Sequence, residues 1–283
     1  MLDHLIHDFA EFDFWRRAVI GGVVISVVCS LLSVYVVLKR MAFIGQGISH
    51  SAFGGIALGV LLFAGAPGAE LKIFATALAF CLVVALLIAM TTRHSSISED
   101  SAIGIFFVAS MALGVLFFKS ARGFNQDVFS YLFGSISAIT QNELWAITAL
   151  GLVVCLPLLL LQKELLYYAF DEEMAGISGV PVGFLRYMLL ALLSLTIVIS
   201  ARMVGIILIS AFLILPGAIA LLLARHFCRM VWLSLIFGVI TTLAGIAVSW
   251  LTDWPTGAAI VVVQFCVFIV IFAFRKFQGV LSA

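Results

Sequence analysis

Long apolar runs occupy most of this chain and constrain its fold more than any other feature. A helix that crosses a bilayer needs about 20 mostly apolar residues. Runs of that length recur throughout the 283 residues, of which 64% are hydrophobic and only 10% are charged. Soluble domains have about 25% charged residues. The sequence therefore predicts an all-α fold, a polytopic transmembrane helical bundle.

The predicted number of spans is nine, with eight as the alternative. The apolar run 184–224 is too long for one span, and Arg202 lies near its middle. We predict a tight outer turn at Arg202 that divides this run. If the division is wrong, or if one short span is re-entrant, the number is eight. The nine predicted spans are 18–38, 42–64, 73–92, 101–118, 144–162, 184–201, 203–224, 231–250 and 257–274.

The basic residues at the span ends predict an orientation. With the N-terminus outside, nine Lys and Arg residues lie inside and six lie outside, as the positive-inside rule favours. Residues 1–283 are interpreted as a single transmembrane domain. Within it, 1–15 form an outer amphipathic segment, and 163–183 form a cytoplasmic loop.

One histidine lies deep within an apolar span. His50 is nine residues beyond Met41, so it lies about 14 Å into the bilayer. Gln46, four residues earlier, shares its helix face, and Gly54 is expected to leave room beside the pair. A neutral imidazole binds a divalent cation without first losing a proton. Two interpretations stay open: a ligand on an ion pathway, or a histidine hydrogen-bonded to a neighbouring helix.

Small residues line the adjacent face of the same span. Gly47, Ser51, Gly55 and Gly59 follow one another at intervals of four. This spacing lets helices pack closely in lipid. The span is therefore predicted to be central in the bundle and not lipid-facing.

The stretch 170–182, FDEEMAGISGVPV, is the most distinctive polar segment. Its acids Asp171, Glu172 and Glu173 precede a short helix-forming run that ends at Gly179. One interpretation is a solvated connector. The other is a helix that docks on a cytoplasmic partner.

Pro216 interrupts the apolar run 201–225 and is expected to free a backbone carbonyl. Such breaks are tolerated in a membrane where neighbours satisfy the backbone. The interpretations are a packing kink or a hinge.

Acids at the membrane boundaries are the remaining candidates, since all fourteen Asp and Glu residues fall in loops or at span ends. Asp127 is assigned to the outer face, and Asp100 opens the fourth span from the inner side. Solvation and helix capping account for such acids, and contact with a passing cation is the alternative. The chain lacks a GxxxxGK[ST] phosphate loop.

In their order along the chain, these stretches resemble the zinc/manganese/iron ABC importer permease family. The resemblance covers nearly the whole chain. The stretches are VVLKRMAFIGQGISHSAFGGIALG, ISEDSAIGIFF, DVFSYLFGSISAIT, FDEEMAGISGVPV, MVGIILISAFLILPGAIA and PTGAAIVVV.

The resemblance implies a vitamin-B12-importer-like (type II) permease in the bacterial plasma membrane, carrying divalent metal ions, with zinc or manganese expected first. The expected partners are cytoplasmic ABC ATPase subunits that use ATP, an extracytoplasmic metal-binding protein and a second copy of the chain. No enzymatic activity and no permanently bound cofactor are expected, because Zn²⁺, Mn²⁺ or Fe²⁺ would be cargo. The alternative is an ion-coupled secondary transporter of a small cation, which would need acids within its spans.

The residues and the resemblance together predict three sets of site residues. The family commonly has an aspartate where this chain has Gln46, so Asp127, or Glu99 and Asp100, are candidates to supply the missing charge. The sets are His50, Gln46, Ser49, Asp127 and Asp100 for the metal pathway; Asp171, Glu172, Glu173, Ala175 and Gly179 for ATPase coupling; and Pro216 as a hinge.

Overall fold

The structure, a computed structural model, describes residues 13–94, 97–121, 134 and 140–281. Twelve α-helices account for most of these residues, and no strand occurs among them. Most of the predicted outer segment 1–15 lies outside the described residues. The helices are α1 (Asp13–Leu38), α2 (Ala42–Phe63), α3 (Ala69–His94), α4 (Glu99–Ser120), α5 (Gln141–Leu160), α6 (Gln162–Phe170), α7 (Glu172–Ile177), α8 (Val182–Val204), α9 (Ile206–Phe212), α10 (Leu215–Leu223), α11 (Phe227–Thr252) and α12 (Thr256–Leu281).

Eight helices in the described part of the chain are long and apolar enough to cross a membrane. They are α1 to α5, α8, α11 and α12. The predicted all-α transmembrane bundle is confirmed. The segment predicted as the loop 163–183 is largely helical, because α6 and α7 fill it.

The long apolar run 184–224 is divided, as predicted. α8 ends at Val204, and Gly205 has a φ of 91°, a backbone conformation that favours glycine. The division lies three residues beyond Arg202. After it, two short helices replace the predicted single span, because α9 ends at Phe212 and α10 starts at Leu215.

Together α9 and α10 lead from one end of the bundle to the other. Near their start, Val204 lies so close to Gly257 that a Cβ there would be 2.3 Å from the Val204 carbonyl oxygen. Beyond their end, Ala224 and Leu38 of α1 both pack against a small apolar cluster formed by Val34, Ala220 and Met230. We therefore interpret the pair as an interrupted ninth passage.

α2 is central in the bundle, with 14 of its 22 residues buried. A Cβ on Gly55 would lie 2.7 Å from the Cα of Ala77 on α3. A Cβ on Gly59 would lie 2.8 Å from the Cα of Ile73 on the same helix. The predicted close packing along the small-residue face is confirmed.

The prediction for Gly54 was wrong. A Cβ there would lie 2.7 Å from the carbonyl oxygen of Ser110 on α4. From the other side, a Cβ on Gly114 would lie 3.1 Å from the Cα of Gly54. The missing side chains let α4 approach α2, so backbone fills the space that was expected to stay open.

Candidate functional site

α2 brings Gln46 and His50 together on one face. The amide nitrogen of Gln46 lies 3.1 Å from Nε2 of His50, and His50 is only 9% exposed. An amide nitrogen is a donor, so in this arrangement Nε2 accepts and the proton of the neutral ring lies on Nδ1. Rotating the Gln46 amide by 180° would place its oxygen, instead of its nitrogen, at Nε2 of His50. The ring proton would then lie on Nε2, and Nδ1 would have a free lone pair.

The imidazole has one unused nitrogen. Nδ1 is buried and has no hydrogen-bond partner among the described residues. The ring of Phe107 on α4 meets the imidazole edge-on, with 4.6 Å between the ring centroids. Buried polar atoms in proteins are nearly always hydrogen-bonded. Nδ1 can bind a cation when the Gln46 amide is rotated, because the ring proton then lies on Nε2 and the lone pair on Nδ1 is free.

Ser49 lies next to this pair but is turned towards its own helix. Its hydroxyl donates to the Gln46 carbonyl over 2.9 Å, and the residue is fully buried. Ser51 likewise donates to the Gly47 carbonyl. The Ser51 hydroxyl also lies 3.2 Å from the Ser110 hydroxyl of α4, and neither serine hydroxyl bonds to a ring nitrogen of His50.

Of the two predicted pathway acids, only Asp100 is among the described residues, and it does not lie at the histidine. Asp127 lies outside the described residues. Asp100 is exposed in the first turn of α4. It is seven residues before Phe107, which contacts His50, so the two positions are about 10 Å apart along the helix axis. No group of three or more His, Cys, Asp or Glu side chains in the described ranges could hold a metal. The observed candidate is thus one imidazole with an amide.

The second candidate region is the short helix α7, which the sequence predicted within 170–182. The Asp171 side chain accepts from the backbone N–H of Met174 over 2.9 Å and so caps the start. At the other end Gly179 has a φ of 84° and Val180 donates to the Ala175 carbonyl over 3.0 Å. This C-terminal motif closes the helix after two turns.

Glu172 faces the bundle. Its carboxylate lies 2.8 Å from Nζ of Lys39, just after α1, and also pairs with Arg186 of α8. Lys39 donates to the Tyr168 carbonyl and lies 3.8 Å from the centroid of the Tyr168 ring. The sequence did not predict this cluster, since its members are far apart along the chain.

The charge of Glu172 is stabilised by these neighbours. Partial burial by itself raises the pKa of the carboxyl group. The hydrogen bond and charge of Lys39, followed by the charge and hydrogen bond of Arg186, outweigh that effect, and the pKa lies below its ordinary value. The group is therefore ionised at neutral pH.

The opposite face of this region is apolar and exposed. Phe170, Met174 and Ile177 are 71%, 49% and 74% exposed, and Glu173 beside them is also exposed. Ala175, by contrast, is fully buried. Met174 and Ile177 are three residues apart on α7 and so share a helix face, while Phe170 is the last residue of α6, before the extended Asp171.

Pro216 lies in the first turn of α10, where a helix needs no N–H donor. The helix break lies directly before it, at Leu213 and Ile214. Ser33 of α1 bridges the break, because its hydroxyl donates to the Ile214 carbonyl over 3.2 Å and accepts from the Gly217 N–H over 2.8 Å. A neighbouring helix thus satisfies the backbone, as expected for a break in a membrane.

Comparison with known proteins gives a match to the family model of the ABC 3 transport family over residues 11–275. The chain belongs to the ABC 3 transport family. The resemblance to metal ABC importer permeases is confirmed, and this ABC 3 permease is an integral protein of the bacterial plasma membrane.

Two relatives and one solved structure show how far the similarity of this ABC 3 permease extends. The chain is 35% identical to the manganese transport system membrane protein MntC of Halalkalibacterium halodurans, over 96% of this chain and 91% of that protein. It is 34% identical to the chelated iron transport system membrane protein YfeD of Yersinia pestis, over 99% and 92%. Its fold matches a chain of PsaBC from Streptococcus pneumoniae with a TM-score of 0.85, at 32% identity over 96% and 95%. The permease fold is confirmed.

Proposed function

We propose that this ABC 3 permease is the membrane subunit of an ATP-driven importer that carries manganese, iron(II) or zinc ions into the cell. Relatives named for manganese and for chelated iron support a transition-metal cargo. The observation that carries the proposal is the buried His50 with an unpartnered ring nitrogen on the central helix α2.

The chemistry of this site suits a passing ion. Mn²⁺, Fe²⁺ and Zn²⁺ all accept an imidazole ligand. A transport path must bind its ion weakly enough to release it. One imidazole with the neutral Gln46 beside it gives fewer and weaker ligands than an imidazole paired with a carboxylate. Asp100, at the exposed start of α4, is proposed as a later contact on the inner side.

The energy is proposed to come from another chain. This sequence has no phosphate-binding loop of the GxxxxGK[ST] type. The exposed residues of α7, Glu173, Met174 and Ile177, together with Phe170 at the end of α6, have the mixed apolar and charged character of a docking surface. We assign it to a cytoplasmic ABC ATPase. A second copy of the permease and an extracytoplasmic metal-binding protein complete the proposed importer.

Motion of the ATPase would reach the bundle through Glu172. Its ion pairs join α7 to the ends of α1 and α8. Movement of α7 would therefore be transmitted to both helices. Membership of an ABC family favours this ATP-driven route over the alternative of an ion-coupled secondary transporter.

The test is metal uptake into liposomes that contain the permease with its ATPase and binding protein. Uptake of radioactive Mn²⁺ is measured with and without ATP, in competition with Zn²⁺ and Fe²⁺. We expect ATP-dependent uptake that His50→Ala lowers by at least about tenfold, the effect of roughly 1.4 kcal/mol. The control is His226→Ala, because His226 is exposed and its side chain makes no capping bond.

Wild-type uptake in the His50→Ala importer would refute the role of the imidazole. Metal uptake without ATP, driven by an ion gradient, would refute the ABC importer and favour the secondary transporter. Co-purification of the ATPase with each variant shows whether the complex has assembled.

A further inference from the structure

We propose that a cavity between α10, α11 and α12 binds the headgroup of an anionic phospholipid. The cavity measures about 380 Å³. Three arginines and four apolar side chains line it. The residues are Arg225, Arg229 and Arg275 with Leu223, Leu233, Phe237 and Phe274.

The cavity lies at the bundle end that also holds the coupling helix. Ala224 packs around the same apolar cluster as Leu38 of α1, and the next residue, Lys39, pairs with Glu172. In the orientation predicted from the basic residues, this end is cytoplasmic. The cavity therefore faces the inner boundary of the membrane, where anionic headgroups lie.

The positive charges of the three arginines are not neutralised by acidic neighbours within the described residues. No acidic side chain in the described part of the chain pairs with any of the three. Arg225 and Arg229 are exposed, and Arg275 is half-buried. Nε of Arg275 donates to the Leu222 carbonyl over 2.7 Å. That bond holds the guanidinium in position at the end of α10.

The start of α11 adds to the attraction for an anion. This 26-residue helix begins at Phe227, and His226 before it makes no side-chain capping bond. The first N–H groups of a helix favour a phosphate. Arg229 lies in the same first turn, so backbone dipole and guanidinium act on the same side of the cavity.

The combination of walls and charges identifies the ligand. Arginine forms paired hydrogen bonds with phosphate oxygens. Basic pockets between transmembrane helices at the cytoplasmic side bind anionic lipid headgroups. A free phosphate gains nothing from contact with the apolar walls of the cavity, whereas the first carbons of a lipid's acyl chains can pack against them. Three arginines would repel a metal cation, so the cavity is separate from the metal pathway and the inference does not rest on the transported ion.

The experiment measures lipid retained by the full-length protein. The wild type and the double variant Arg225→Gln/Arg229→Gln are placed in nanodiscs of phosphatidylcholine with a small fraction of phosphatidylglycerol, and the lipid that stays bound is counted by native mass spectrometry. The matched control is Lys276→Gln, an exposed cation next to Arg275 that does not line the cavity. Thermal melting in pure phosphatidylcholine shows whether each variant is folded.

We expect the wild type and Lys276→Gln to retain phosphatidylglycerol selectively. The double variant should bind it roughly 30-fold more weakly, from the loss of two surface arginines. Equal retention by all three proteins, or equal retention of phosphatidylcholine, would overturn the proposal. Displacement of the lipid by millimolar inorganic phosphate would also overturn it, since the site would then recognise the free anion. If the double variant melts early, Arg229→Gln alone is measured with the same criteria.

Discussion

The carboxylate of Glu172 lies 2.8 Å from the ammonium group of Lys39, and this ion pair ties α7 to the end of α1. Glu173, the next residue, is exposed on the other side of the helix. Two adjacent acids that the sequence assigned to one coupling role thus face different ways. We assign Glu172 to the linkage within the permease and Glu173 to the surface for the ATPase.

Glutamine at these two positions should give different defects. In Glu172→Gln the ion pairs with Lys39 and Arg186 are lost, so the ATPase should still co-purify while metal uptake per ATP falls. In Glu173→Gln the linkage remains, so co-purification should weaken and uptake per bound ATPase should stay near the wild-type level. Metal uptake per ATP hydrolysed and metal uptake per bound ATPase are both measured in the same reconstituted importer. If the two variants behave alike, the division of roles is wrong.

Acid should release α7 only well below neutral pH. The pKa of Glu172 is lowered from its ordinary value near 4.5. A group of this kind stabilises the fold above its ordinary pKa, and the stabilisation is lost as the pH falls through the lowered value. Hydrogen exchange of the α7 amides, corrected for intrinsic rates, should therefore stay constant from pH 8 to about 5 and rise below about 4.5. Glu172→Gln should show no such step. A rise that begins near pH 7 would contradict the assignment.

Close packing of α2 on α3 should make Gly55 sensitive to a single added carbon. A Cβ there would lie 2.7 Å from backbone of Ala77, and overpacking of this kind costs about 1–3 kcal/mol. Gly55→Ala should lower the melting temperature in detergent. Gly104→Ala is the control, because nothing lies within 4 Å of a Cβ at that helical glycine. It should be neutral or slightly stabilising, and an equal loss in both variants would argue against the packing.

The hydroxyl of Ser33 should matter more than other buried hydroxyls of α1. Ser33→Ala leaves the Gly217 N–H without its hydrogen-bond partner, whereas the Ile214 carbonyl keeps its bond from the Ala218 N–H. An unsatisfied buried group costs about 1–3 kcal/mol, so unfolding in a denaturing detergent should become easier. Ser26→Ala is the control, since its buried hydroxyl has no hydrogen-bond partner in the described ranges. Equal stability of the two variants would mean that the bridge contributes nothing.

Periodicity along single helices was predictable from the sequence. Intervals of four residues placed Gln46 and His50 on one face, and the same interval predicted the close packing at Gly55 and Gly59. Both depend only on helix geometry and on the small size of glycine. The short helix α7 was predictable too, because Asp171 and Gly179 have local roles at its ends.

Relationships between distant segments were not predictable in the same way. Lys39 and Glu172 are 133 residues apart, and a lysine at a span end is expected for orientation alone. At the helix break the visible signal was Pro216, whereas the break precedes it and depends on Ser33, 181 residues before Ile214. The room expected at Gly54 was wrong for a related reason. A glycine shows that something approaches closely, but not whether the neighbour is a helix or an ion.

α1 makes two of these distant contacts, and they lie only six residues apart. Ser33 bonds to the Gly217 N–H, and Lys39, directly after the helix ends at Leu38, pairs with Glu172 of α7, with about 9 Å between the two positions along the axis. A rod this short does not bend appreciably. We therefore expect a displacement of α7 to shift Ser33, and with it the start of α10, by a similar distance.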